Sequence, residues 1–232
     1  MARTMRRFAR WHIWLGWLAG VPLLLWTLSG LVMVARPIEE VRGEHLRVNA
    51  ETRPGFAGNP QPIAFRADGS PQAVEFRSFI QHGRFVTLVT RPDGSIDRFD
   101  ATTGLGLPAI DEVEARRIVA LSIHGGDQVT SVRLTSADNP PIDFRRPIAA
   151  WQVTLADGTR IYVGRDSGEI AAVRTRWWRV FDFMWGLHIM DLQTRENTHH
   201  PLLIGFAALA LVSTILGTTL LFRRRKARAR PT

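Results

Sequence analysis

Residues 11–35, WHIWLGWLAGVPLLLWTLSGLVMVA, decide the fold. They contain no Asp, Glu, Lys or Arg. As a helix rising 1.5 Å per residue the run reaches about 37 Å, more than the roughly 30 Å of a bilayer's hydrocarbon core. Pro22 is tolerated in such a segment because neighbouring groups re-satisfy the freed backbone. The run is too long for a signal peptide's apolar core of roughly 7–15 residues, and Met33-Val34-Ala35 is a poor cleavage site, so it reads as an uncleaved anchor. Residues 201–222, PLLIGFAALALVSTILGTTLLF, form a second run about 33 Å long.

Charge fixes the expected orientation. Arg3, Arg6, Arg7 and Arg10 precede the first run; Arg223, Arg224, Arg225, Lys226, Arg228 and Arg230 follow the second. All 21 acidic residues lie between Arg36 and Glu196, so the net charge of +9 comes from the two tails. Basic residues directly beside apolar runs act as topology determinants and can touch anionic lipid. A nucleic-acid binder carries them on a folded face, so nucleic acid is not expected as a partner. The expected topology has both tails (1–10 and 223–232) cytoplasmic, spans at 11–35 and 201–222, and the middle domain in a bacterial periplasm. The chain has no cysteine, which excludes disulfides, thiol catalysis and cysteine metal sites.

Trp11, Trp14 and Trp17 open the first span, and Trp177, Trp178 and Trp185 precede the second, as in aromatic belts. Gly16 with Gly20, and Ser213 with Gly217, are candidate close-packing faces; chance occurrence of small residues in membrane helices is the alternative.

After a linker at 36–60 the pattern changes to short alternating runs separated by turns. Ala73–Phe76 and Phe85–Val89 read as strands, followed by Asp93-Gly94, a further strand and Thr103-Gly104. Val129–Leu134 and Trp151–Leu155 read likewise, followed by Asp157-Gly158, Arg160–Val163 and Ser167-Gly168. Gly94 stands as far from Gly104 as Gly158 from Gly168, which predicts two related modules at 61–110 and 111–174 with turn glycines at positive φ. Chance similarity of two hairpins is the alternative. Residues 139–147, NPPIDFRRP, read as an inserted surface loop. Its Arg145-Arg146 is read as solvated, with contact to an anionic partner as the alternative.

Asp111–Leu121 reads as a soluble helix opening with acids and burying Val113, Ile118 and Leu121, ended by His124-Gly125-Gly126. Residues 177–192, WWRVFDFMWGLHIMDL, bring Trp177, Phe181, Met184, His188 and Leu192 to one side at helical spacing, with Trp178, Trp185 and Ile189 widening that face. This predicts an interfacial helix lying on the outer leaflet. The expected class is a membrane protein of α+β type: two transmembrane helices flanking an extracytoplasmic domain of helix on antiparallel sheet.

Three stretches resemble the PepSY-associated membrane-helix family: RRFARWHIWLGWLAGVPLLLWTLSGLV, the order EVEARRIVALS, VTSVRL and WQVTLADGTRIYVGRDSGEI, and WRVFDFMWGLHIMD before a last span. The resemblance implies PepSY-like modules, which regulate peptidases or bind at the cell envelope. It also implies a link to iron and siderophore uptake, because larger members with four spans bind haem b through membrane histidines and reduce ferric siderophores.

His12, at one edge of the first span, and His188, His199 and His200, near the opposite edge of the second, are therefore the candidate haem ligands. The bilayer thickness separates His12 from His199 and His200, so His12 is expected to share a haem only with a second copy, as a homodimer. His188 is expected to meet His199 or His200 only if the interfacial helix folds back toward the second span. The alternative is histidines bonded to headgroups, with His199-His200-Pro201 as a helix entry. His45, His82 and His124 are expected in surface or turn positions. No nucleophile elbow, HExxH, P-loop or GxGxxG stands in a suitable place, so the reading leans away from an enzyme.

Overall fold

The computed structural model describes residues 2–48, 55, 58–64 and 72–228, without the side chains of 2–5 and 223–228. Parts of the expected linker and of the first module, at 49–54, 56–57 and 65–71, lie outside the described residues, as do 229–232. The chain divides into two units, one holding Met1–Pro37 with Val180–Thr232 and the other Ile38–Arg179.

The first unit pairs α1 (Ala2–Met33) with α5 (Pro201–Arg228). Arg6–Met33 and Pro201–Phe222 are long and apolar enough to cross a membrane. Small residues are buried in this unit: Ala19, Ser29 and Ser213. Gly217 lets His12 lie close, because a Cβ there would come within 2.8 Å of His12 Cε1 and push the ring aside. The Ser213–Gly217 face is thus used, whereas a Cβ on Gly16 or Gly20 would meet nothing within 4 Å. Trp14 and Trp17 are 71% and 78% exposed, which suits a helix whose solvent is lipid. The first span stops two residues short of expectation. Val34 and Ala35 close a final turn on Gly30 and Val32, and Pro37, which disfavours helix at Arg36, ends it.

The second unit holds two antiparallel sheets. The first has β1 (Glu75–Gln81), β2 (Arg84–Thr90) and β3 (Ile96–Asp100) in that order. The second has β4 (Val129–Thr135), β5 (Ala150–Leu155), β6 (Arg160–Gly164) and β7 (Ile170–Arg174). The two hairpins repeat each other bond for bond. Arg91 N donates to Ser95 O and Gly94 N to Arg91 O; Leu155 N donates to Thr159 O and Gly158 N to Leu155 O. Asp93 Oδ1 accepts from Ser95 N, as Asp157 Oδ1 does from Thr159 N. Gly104 N donates to Asp100 O and Gly168 N to Gly164 O, and all four glycines have positive φ. After Gly168 the chain forms β7, which the sequence reading passed over; after Gly104 it makes only an isolated bridge, Phe99 to Gly106.

Helix α3 (Glu112–Ser122) is capped by Asp111, whose carboxylate accepts from Glu114 N at 2.8 Å. Its buried face is Ala115, Ile118 and Val119, packed on Val153, Ile161, Val163 and Val173. The expected face was wrong at both ends: Val113 is 75% and Leu121 53% exposed. Five residues of helix turn the chain well past one revolution, so Val113 cannot share a face with Ile118.

The loop 139–147 is also not simply a surface loop. Asp143 and Phe144 are buried, and Phe144 stacks on Tyr162 with ring centroids 4.3 Å apart. Two short segments, α2 (Ile38–Val41) and a 3-10 turn (Glu44–Leu46), lie along β7. Gly43 between them has φ 71, and its Cβ would come within 2.7 Å of Val173 Cγ1.

Candidate functional site

Helix α4 (Arg176–His188) starts in the second unit and ends in the first. It is shorter than the expected 177–192, because Met190 takes a positive φ of 58 and Asp191 gathers the following loop. The Asp191 carboxylate accepts from the backbone N–H groups of Thr194, Glu196 and Asn197 and from the Thr194 hydroxyl. The Thr194 hydroxyl, followed by these backbone donors, holds its pKa far below the usual carboxylate range. The loop then lies back along α4. Arg195 pairs with the buried Asp182 at 2.5 Å, its carbonyl accepts from Trp185 Nε1 at 3.1 Å, and Gly186 leaves room for its side chain. Within this unit Asp182, Gly186 and Ile189 are the buried positions along α4 and its end; Ile189 belongs to the face that periodicity predicts, whereas Phe181 and Met184 at the centre of that face are only half-buried.

That arrangement carries His188 to α1. Its Nδ1 lies 3.1 Å from Ser29 Oγ and 3.1 Å from the Trp26 carbonyl oxygen. Ser29 Oγ itself donates to that carbonyl at 2.9 Å. A carbonyl only accepts, so the Trp26 contact is a hydrogen bond in the tautomer that carries its proton on Nδ1, which leaves the ring's lone pair on Nε2. The imidazole stacks on Trp26, with centroids 5.0 Å apart and planes 20° from parallel. Gly30 makes the approach possible, since a Cβ there would lie 3.3 Å from His188 Cε1.

The other candidate histidines stand apart from this contact. His12 lies on Gly217, and its Nδ1 is buried without a hydrogen-bond partner among the described residues. His199 is exposed beside Thr198, with its backbone N–H held by Asn197 Oδ1 at 3.0 Å. His200 Nδ1 accepts from Leu202 N at 3.3 Å, so it caps the start of α5. The sequence lets His188 meet His199 or His200 only if the helix that carries it folds back toward the second span; in the structure His188 contacts Trp26 and Ser29 of α1. The Ser29-Gly30 pair belonged to the motif that suggested the family, which was the available signal. Among the described residues no group of three His, Asp or Glu side chains is placed to hold a metal ion.

The second unit has its own polar chain, buried at Gln152, Tyr162 and Asp143. Arg133 Nε donates to Gln152 Oε1, Gln152 Nε2 to the Tyr162 hydroxyl at 2.5 Å, and that hydroxyl to Asp143 Oδ1 at 2.7 Å. Arg160 closes it on Asp143 Oδ2 at 2.9 Å. Burial, then the Asp143 carboxylate, pushes the Tyr162 phenol well above its ordinary pKa. The chain ties the 139–147 loop to the sheet; sequence spacing gave no sign of it because its members come from four separate segments. His82 occupies a turn at φ 50, as expected, and burial followed by the Arg117 charge lowers its pKa.

No curated protein and no solved structure matches the chain. The family model described as the PepSY-associated TM region matches residues 9–232, both membrane helices and everything between them. The chain therefore belongs to the PepSY-associated transmembrane family.

Proposed function

We propose that this is a bacterial inner-membrane protein with both termini in the cytoplasm, whose middle domain binds or regulates a partner in the periplasm. The observation that carries the reading is that Ile38–Arg179 closes on its own core while both its ends continue into membrane helices. The arginine-rich flanks support the orientation. The matching hairpins support two related PepSY-like modules, the first reduced in its last strand. Iron and siderophore uptake is the setting that the family suggests, with another membrane protein or a second copy as the partner. Photo-crosslinking in cells from positions 76 and 134, where Phe76 and Leu134 are exposed, tests it: a discrete protein adduct is expected. Turnover of a ferric chelate or a peptide by the purified chain alone would overturn it.

A second reading rests on His188. A metal-ligating histidine commonly donates its other ring N–H to a backbone carbonyl. With Nδ1 donating to the Trp26 carbonyl, the Nε2 lone pair of His188 would be available to hold the iron of a haem b. His12, His199 and His200 are the other candidate ligands, and the haem would supply one-electron transfer. The absorption spectrum of the protein purified after growth with haem supply decides this: a Soret band lost in His188→Ala supports it, and no Soret band refutes it.

A further inference from the structure

We propose that the middle domain holds the phosphate of an anionic phospholipid headgroup in a basic groove of about 700 Å³ between the Ile38–Leu46 segment, the end of the 139–147 loop and β7. Four arginines line it, Arg42, Arg47, Arg146 and Arg174, against one acid, Glu44. Guanidinium groups match phosphate oxygens in a two-bond geometry that ammonium groups lack. The site goes beyond the partner-binding reading and does not depend on it.

The groove is built by specific packing on each wall. Gly43 lets the first wall lie against Val173, where any side chain would collide. The far end of that wall is bonded to α3, by Val48 N to Ser122 O at 2.9 Å and His124 N to Leu46 O at 2.8 Å. The second wall is the loop held through Asp143, whose carboxylate takes Tyr162 and Arg160 and whose carbonyl takes Arg174 Nε at 2.6 Å. The floor is Trp178, buried under the Arg174 guanidinium, which lies 4.1 Å from its ring centroid, with that of Arg145 at 5.8 Å. Arg145 sits at φ 55, a strained position for a side chain, and the turn sends Arg146 to the groove. A cationic site preorganised in this way binds an anion with little ordering cost.

Chain connectivity selects a lipid over a soluble anion. Arg42 can lie no further than about 30 Å from Met33, the last residue of the first membrane helix, whatever path the chain takes. Trp178 belongs to α4, the helix that continues into the membrane unit. Arginine and tryptophan are the side chains that anionic headgroups and the membrane interface favour.

The test uses the full chain, delipidated in detergent and titrated with phosphatidylglycerol or phosphatidylcholine, with bound lipid counted by native mass spectrometry. Preferential retention of phosphatidylglycerol is expected, weakened about tenfold or more in the Arg42→Gln/Arg146→Gln double variant, which removes two of the four guanidinium groups that line the groove. Both side chains are exposed, so the variant should fold. Arg116→Gln/Arg117→Gln removes the same charge from α3 and should leave retention unchanged. Glu44→Gln should tighten it. Retention that ignores the lipid headgroup, a double variant that binds like the parent, or a Glu44→Gln variant that binds more weakly would overturn the proposal. So would groove-dependent protection of the chain by inorganic phosphate, or groove-dependent binding of a polyglutamate peptide, without lipid discrimination.

Discussion

Tyr162 is the only tyrosine in the chain, so its ionisation can be followed by tyrosinate absorbance without interference from another phenol. It is fully buried, donates to Asp143 Oδ1 at 2.7 Å, and its pKa is raised first by burial and then by that carboxylate. The folded-state value exceeds the unfolded one, which is about 10. The stability due to this group is therefore complete below about pH 10 and is lost as pH rises through the folded value. The folded protein should show no tyrosinate at a pH where a denatured sample is half ionised. Its alkaline melting curve should fall with pH, and Tyr162→Phe should flatten that dependence.

Asp143→Asn removes the charge but keeps an acceptor. It weakens the Tyr162 bond and the Arg160 pair, the latter partly exposed and therefore worth little. A loss of about 1–2 kcal/mol follows, a fall of roughly 2–8 °C in the melting temperature of a domain of this size. The tyrosine should titrate lower than in the parent but still above a free phenol, because burial is the larger cause. Ordinary titration of Tyr162 in the folded parent, or an Asp143→Asn variant that shifts neither melting nor titration, would refute the buried chain.

Further tests bear on the other packed positions. Gly43→Ala places a methyl group against Val173 at a positive φ and should cost about 1–3 kcal/mol, read by thermal melting of the full chain. Asp191, held low by the Thr194 hydroxyl and then by backbone donors, stabilises the loop after α4 above its unfolded value of about 4; that stability is lost as pH falls through the depressed value. Proteolysis of this loop should rise on acidification, and Asp191→Asn should raise it already at neutral pH. Gly217→Ala should destabilise the helix pair in detergent, and His12→Ala should restore part of the loss, giving a non-additive cycle because the two positions touch.

The spans, the α3 helix and both hairpins were legible because each rests on local chemistry: length of an apolar run, an Asp at a helix start, Asp-Gly at a turn. β7 was missed because Ile170–Arg174 is short and follows a glycine that looked like an end. On α3 the sequence places Ile118 correctly but not Val113, which five residues earlier points to another side of the helix. The partners of His188 lay beyond local reading, since α4 and α1 are far apart in sequence and only the folded-back loop, gathered by Asp191 and Arg195, brings them together. The groove arginines come from three separate segments, and a sequence reading sees them as scattered solvated charges.

The proposed topology puts a folded domain on the far side of the bilayer from both termini. Because the chain has no cysteine, single cysteines report topology cleanly. In spheroplasts treated with a membrane-impermeant maleimide, Arg84→Cys in the middle domain should be labelled, and Thr4→Cys should be labelled only after lysis. Labelling of Thr4→Cys in intact spheroplasts, with Arg84→Cys protected, would contradict it.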